Sequence, residues 1–201
     1  TLANNLNTSI KQNVFNMKVR NFNSSLESTL FNGNVPVEMF HNLLDIFKKN
    51  LPLWHKYWRV RRKALGVKTL HPYDVWAPLT TKKHKVLFEK AVDWICEGLA
   101  PMGEEYVSVM RKGCLQDRWV DWSPNAGKRQ GAFSTRVPKD THPFILMSYT
   151  DDIGSMSTLS HELGHSMHAY YASRVQPMFY YLYPSIIAET ASNFNQAMTR
   201  A

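Results

Sequence analysis

Two histidines and a glutamate lie together in the segment His161-Glu162-Leu163-Gly164-His165. Residues four apart share one face of a helix, so the imidazoles of His161 and His165 can converge on a single Zn²⁺. Glu162 is rotated about 100° from His161 on a helix of 3.6 residues per turn. That rotation places its carboxylate beside the metal, where it can take a proton from a bound water. The spacing therefore predicts a zinc site with Glu162 as general base.

A catalytic zinc usually has three protein ligands and one open position, so a third ligand is needed. Glu189 is the only acidic residue that follows His165, and it lies 24 positions further along the chain. A turn across 176–184 would fold the last helix back against the motif helix. Alternatively, Glu189 is an ordinary glutamate near a helix start, where the helix dipole favours it. Because the motif precedes it, we predict that Glu189 is the third metal ligand.

Other residues near the motif leave alternatives open. His168 is seven residues after His161 and faces the same side, so it either competes as a ligand or supports the site by packing; we favour packing. Gly164 costs about 1 kcal/mol relative to alanine in a helix, which indicates either the close approach of another backbone or a tolerated glycine. The loop that follows carries three tyrosines that either contact substrate or pack: Tyr180, Tyr181 and Tyr183.

Apolar residues at three- and four-residue steps predict a mainly α-helical chain. The predicted helices cover 2–20, a segment opened by Pro36, a segment from Pro52 to Gly66, 82–99, 101–113, a segment from just after Asp152 to 173, and a segment from 185 onward. In the second of these helices, one apolar stripe is predicted to face inward: Val37, Phe40, Leu43, Leu44 and Phe47.

A small β insert is predicted just before the motif helix. Short apolar runs between glycines and prolines favour strands at 131–135 and 144–149, with a turn at 138–140. The predicted fold class is therefore mainly α, with multiple helices and a small β insert before the motif helix.

The composition of the 201 residues, 44% hydrophobic and 20% charged, is ordinary for a globular chain. It excludes disordered tails, collagen-like repeats and low-complexity linkers. No apolar run approaches the roughly 20 residues that a membrane span needs, and the N-terminus lacks a signal-peptide pattern. Cys96 and Cys114 are too few for a disulfide scaffold, so we predict reduced thiols, no membrane partner and a cytoplasmic location.

The net charge of +8 supports one alternative function, nucleic-acid binding. The excess lies in the first 100 residues, where basic runs occur at 59–63 and 82–85. Neither run belongs to a recognisable nucleic-acid-binding motif, and charged helix faces are usually just solvated. A second alternative is a non-catalytic helical module with a structural or degenerate metal site. Structural sites normally have four ligands, often cysteines, and Cys96 and Cys114 lack the usual close spacing.

The segments 157–168 and 187–195, which hold the motif and Glu189, resemble the oligoendopeptidase F family. These are zinc oligopeptidases related to thimet oligopeptidase. The family's K-R-x-G-A sequence is similar to the segment Lys128-Arg129-Gln130-Gly131-Ala132-Phe133. The segment 70–79 resembles the family's link into the catalytic region, and the segment 5–31 resembles the helices that precede this link. The resemblance therefore covers nearly the whole chain.

This resemblance implies a largely helical metallopeptidase with a deep channel, which acts on short peptides and holds one Zn²⁺ per chain. Carried over by position, His161, His165 and Glu189 match the zinc ligands and Glu162 the general base. The resemblance implies short oligopeptides as substrates, and it implies neither a nucleic acid nor a membrane as a partner. A site of two histidines and a glutamate can also accept Co²⁺ or Mn²⁺.

The resemblance also implies a domain organisation. We expect an N-terminal helical portion at 1–66, a link at 67–81, and part of the zinc-peptidase catalytic domain at 82–201, truncated at its C-terminus. A family segment with His and Tyr, thought to stabilise the oxyanion, would lie beyond Ala201. One of the two predicted strands either pairs with the substrate backbone, as in related zinc peptidases, or is a structural hairpin.

Overall fold

The computed structural model describes residues 1–80, 84–135 and 141–200. The chain forms two compact units, Thr1–Thr81 and Lys82–Ala201. The α-helices of the first unit are α1 (Leu2–Val19), α2 (Ser25–Phe31), α3 (Val37–Lys49) and α4 (Leu51–Leu65). Those of the second unit are α5 (Phe88–Gly98), α6 (Glu104–Leu115), α7 (Ile153–Val175) and α8 (Ser185–Arg200). Its strands are β1 (Val120–Asp121), β2 (Phe133–Thr135) and β3 (Phe144–Leu146). The predicted mainly α fold with a small β insert is confirmed.

In the first unit each helix packs on the next one along the chain. Gly66 ends α4 with φ of +69°, a left-handed conformation that favours glycine, as the sequence predicts. The apolar periodicity did not predict α2, which lies within the range 5–31 that the resemblance assigns to helices, although a local signal was present. The backbone N–H of Glu27 donates to Ser24 Oγ at 3.0 Å, the Ser-x-x-Glu cap that begins many helices.

The apolar stripe of α3 is exposed, contrary to the prediction that it faces inward. Leu43 is 64% exposed and Phe47 53% exposed, and no residue of α3 is buried. The periodicity correctly indicated an amphipathic helix. However, among residues 1–80 the main contacts of α3 are with α2 and α4, and these helices leave the stripe uncovered.

The core lies in the second unit, where apolar side chains of α5, α6, the sheet and α7 pack together. Its fully buried members include Ile95, Leu99, Met110, Ile145 and Leu163. The small sheet has the order β1-β3-β2, with β1 parallel and β2 antiparallel to β3. The two predicted strands are therefore present in shorter form, and β1 was missed. The predicted turn at 138–140 lies outside the described residues.

Two predicted helix starts are wrong. Residues 84–87, directly before α5, are not helical because Val86 is hydrogen-bonded to the segment 149–151, which follows β3. The N–H of Val86 donates to Asp151 O at 2.9 Å, and the Tyr149 hydroxyl donates to Val86 O at 2.8 Å. Before α6, Gly103 has φ of +97°, which interrupts the helix predicted from Pro101. Lys82 and Lys83 lie outside the described residues.

Helix α8 lies against α5 and α7 at two glycines. A Cβ placed on Gly164 of α7 would be 2.7 Å from Ser192 Cα and 2.8 Å from the carbonyl oxygen of Ala191. On α5, a Cβ placed on Gly98 would be 3.0 Å from Thr199 Cα. Of the two explanations for Gly164, the close approach of another backbone is therefore the right one.

We predict that Gly164→Ala lowers the free energy of unfolding by about 1–3 kcal/mol, the usual range for overpacking. The added methyl would meet backbone, which cannot rotate away, and this outweighs the better helix propensity of alanine. Thermal unfolding followed by circular dichroism measures the change. Gly154→Ala on the same helix is the control, because its Cβ would meet only an Asp152 side-chain oxygen. Equal unfolding temperatures for the two variants would contradict the packing argument.

Candidate metal centre

The two motif histidines lie one turn apart on α7, and Glu189 reaches them from the first turns of α8. Glu189 Oε2 is 3.3 Å from His161 Nε2 and 3.6 Å from His165 Nε2. The imidazole rings are perpendicular, with centroids 4.9 Å apart. Within the described ranges these three residues form a group whose donor atoms all lie within 4.8 Å of one another.

This donor set fits Zn²⁺. Two ligands that are each about 2.0–2.1 Å from a tetrahedral zinc are about 3.3 Å apart, close to the two measured nitrogen–oxygen distances. Two imidazole nitrogens and one carboxylate oxygen are a common ligand set of catalytic zinc, which leaves one position open. His161, His165 and Glu189 are therefore the residues that could hold the metal.

Glu162 is on α7 between the two histidines, and it points into the protein. It is 6% exposed, and its Oε2 has no hydrogen-bond partner among the described residues. Burial raises the pKa of Glu162 to about 7, and the negative charge of Glu189 adds to this effect. The backbone N–H of Ser134 opposes it by donating a hydrogen bond to the carboxylate. A carboxylate with this pKa can both accept and return a proton near neutral pH.

Strand β2 lies directly on the motif helix. Besides the backbone contact of Ser134 to Glu162, the hydroxyls of Ser134 and Ser166 are hydrogen-bonded at 2.8 Å. Sequence analysis missed Ser134 and Ser166. Their pairing joins residues 32 positions apart in the chain, and no local spacing signals it.

Ser192 is a third residue that sequence analysis missed at this site. Its hydroxyl donates to Glu189 Oε2 at 2.8 Å, the same oxygen that faces both histidines. Here a signal was available, because residues three apart share a helix face and serine commonly bonds back along a helix.

A cavity of about 200 Å³ opens beside the gathered donors. Its lining residues come from β2, α7 and α8 and from the loop before α8: Ser134, His165, Tyr183, Ser185, Ala188 and Glu189. The Tyr183 ring stacks on His168 with centroids 3.8 Å apart, which fits the packing role that we favoured for His168. Tyr180 is 74% exposed. Of the three loop tyrosines, Tyr183 therefore lies at the site.

Three of the residues behind the two alternative functions are buried in the structure: Arg61, Cys96 and Cys114. In the basic segment of α4, Arg61 is buried and donates to the carbonyl oxygens of Asp74 and Ala77, so it is not part of a free cationic face. Cys96 and Cys114 are free and buried in the core. Across the described ranges, no helix combines the length and apolarity required to cross a membrane.

Curated relatives match nearly the whole chain. Oligopeptidase PepF of Bacillus subtilis is 40% identical over 199 residues, which are 98% of this chain and 29% of the relative. An oligoendopeptidase F homolog of Borreliella burgdorferi is 39% identical over 198 residues, 98% of this chain and 33% of the relative. The chain thus spans about a third of the length of these relatives.

Solved structures and a family model agree with these matches. A crystal structure from Chlamydophila abortus has a TM-score of 0.79 and 40% identity, over 98% of this chain and 33% of that one. The structure of oligoendopeptidase-F from Enterococcus faecium has a TM-score of 0.58 and 27% identity, over 98% of this chain and 27% of that one. The model of peptidase family M3 matches residues 1–201. The chain therefore belongs to peptidase family M3.

Proposed function

We propose that the protein is a zinc-dependent endopeptidase that hydrolyses peptide bonds in short oligopeptides. One observation carries the proposal: His161, His165 and Glu189 gather three donor atoms within 4.8 Å beside the buried carboxylate of Glu162. Membership of a peptidase family supports hydrolysis of peptide bonds as the reaction. We assign the chemistry to 82–201, the unit that holds all four residues.

The proposed roles follow from where each side chain lies. When bound, Zn²⁺ would acidify a water and polarise the substrate carbonyl. His161, His165 and Glu189 would hold it and leave the side toward the cavity open. Glu162 would take the proton of the attacking water on its carboxylate and then pass it to the leaving amine. Ser134 would keep that carboxylate in place through its backbone N–H.

Short peptides are the proposed substrate class. The Bacillus subtilis and Borreliella burgdorferi relatives are named oligopeptidase and oligoendopeptidase, which supports this choice. Strand β2 supports it further, because β2 is an edge strand of the described sheet and contacts α7. An extended peptide could pair with that edge and bring its carbonyl toward the metal. Specificity within short peptides and a cytoplasmic location stay predictions.

We predict about one zinc per chain after dialysis, measured by elemental analysis. Glu189→Ala should reduce this to well below one, because the site then loses its only anionic ligand. His55→Ala is the matched control, since His55 is exposed on α4 in the first unit, and it should retain full zinc. Full zinc in Glu189→Ala would remove Glu189 from the ligand set.

We predict that Glu162→Gln lowers kcat/KM for a short peptide by at least about 10²–10⁴-fold, the usual contribution of a general base. The amide keeps the size of the side chain but cannot accept the proton. Zinc content should stay at the wild-type level, because Glu162 is not a ligand in this proposal. Fluorogenic peptide assays and elemental analysis measure the two quantities.

Glu97→Gln is the control for this substitution, because Glu97 is an exposed glutamate on α5. It should keep both zinc and activity. Retained cleavage by Glu162→Gln would rule out the general-base role, and loss of zinc from it would mean that Glu162 helps to hold the metal.

A further inference from the structure

We propose that Ser192 is a positioning residue for the metal site: its hydroxyl holds the Glu189 carboxylate in the orientation that binds the metal. This inference rests on the proposed function, because it concerns the same metal centre. It assigns a role to a residue that contacts neither the metal nor the substrate in the proposal. Its readout is the affinity for zinc, independent of peptide cleavage.

The Ser192 hydroxyl contacts the same Glu189 oxygen that faces the two histidines. Ser192 Oγ is 2.8 Å from Glu189 Oε2, and that oxygen is also the one 3.3 Å and 3.6 Å from the two histidine nitrogens. A carboxylate oxygen has two lone pairs. One can accept the Ser192 proton while the other stays directed toward the metal position between the imidazoles.

Glu189 needs such a restraint because its side chain is 48% exposed. A free glutamate side chain has several rotamers, and ordering it on metal binding costs up to about 1.5–2 kcal/mol of entropy. A hydrogen bond to the charged carboxylate is roughly twice as strong as a neutral one, so it can hold one rotamer before the metal arrives. The side chains of His161 and His165 are 25% and 18% exposed, so the Glu189 carboxylate is the most exposed of the three groups.

Ser192 itself is held rigidly, which makes it a suitable anchor. It is completely buried, and its Cα lies at the point where α8 approaches Gly164 of α7 most closely. The hydroxyl position is thus tied to the helix crossing. Because the packing of α7 against α8 fixes the position of Ser192, the hydrogen bond from Ser192 also fixes the position of Glu189 Oε2.

A purely local role for the hydroxyl is the competing explanation. Ser192 Oγ also lies 3.0 Å from the backbone carbonyl oxygen of Glu189, a common bond of serine within helices. A hydroxyl has a single donor proton. The shorter contact goes to the charged oxygen, which favours the carboxylate as its main acceptor.

A double-mutant cycle on the purified protein tests the proposal, with Ser192→Ala, Glu189→Ala and the combined variant. Zinc dissociation constants are measured by competition with a chromophoric chelator. Ser192→Ala should weaken zinc binding by about 10–100-fold, the usual effect of removing a residue that orients a metal ligand. In the Glu189→Ala background the same change should have no further effect, because Ser192 acts through that carboxylate.

Ser160→Ala is the matched control, since Ser160 is equally buried on the same helix interface but bonds to Asn195 O and Thr199 Oγ1. It should keep the wild-type zinc affinity, even if the unfolding temperature of the metal-free protein falls as much as in Ser192→Ala. Equal zinc losses from Ser192→Ala in both backgrounds, or none in either, would overturn the positioning role alone. A wild-type protein that binds no zinc would overturn the proposed function as well.

Discussion

The close approach of the α7 and α8 backbones at Gly164 is the constraint on which the proposed metal centre depends. Any side chain at this position would push α8 away, since even a single methyl would meet the Ser192 and Ala191 backbone at less than 3 Å. Glu189 is on α8, and its carboxylate reaches the two histidines of α7 across this contact. A small displacement of α8 would therefore separate the Glu189 carboxylate from the two imidazoles.

Buried hydroxyls fix the register of the elements around this contact. The hydroxyl of Ser160 bonds to Thr199 across the two helices, and that of Ser166 bonds to Ser134 on β2. Sliding one element along another would leave these hydroxyls buried without a partner, and each unpaired group would cost about 1–3 kcal/mol of stability. The hydrophobic contacts of the core hold the elements together but are not directional, whereas these hydrogen bonds are directional and define how the elements align.

The two glutamates of the site differ in chemical behaviour because their surroundings differ. Glu162 is buried, with a raised pKa and one backbone donor, so its carboxylate suits proton transfer. Glu189 is half exposed and anchored by Ser192, so its carboxylate suits metal binding. One approaches the centre from within the protein and the other from the solvent side. The cavity lined by His165 and Ser134 opens beside Glu189.

The sequence alone determined the features that depend on local geometry. Helical periodicity and the four-residue spacing place His161 and His165 together whatever surrounds them, and Gly66 ends α4 through its own backbone preference. The choice of Glu189 was also open to sequence reasoning, because it is the only acidic residue after the motif. The domain boundaries and the chemical roles assigned to these residues stay predictions.

The tertiary structure alone decided whatever depends on residues far apart in the chain. Val86 stays outside the helix because its backbone N–H donates to Asp151 O, and Ser134 reaches Glu162 because β2 docks on α7. The exposed stripe of α3 shows the same limit, since amphipathic spacing identifies an apolar face but not what covers it. Local preferences amount to about 1 kcal/mol per residue, and contacts between distant segments can outweigh them.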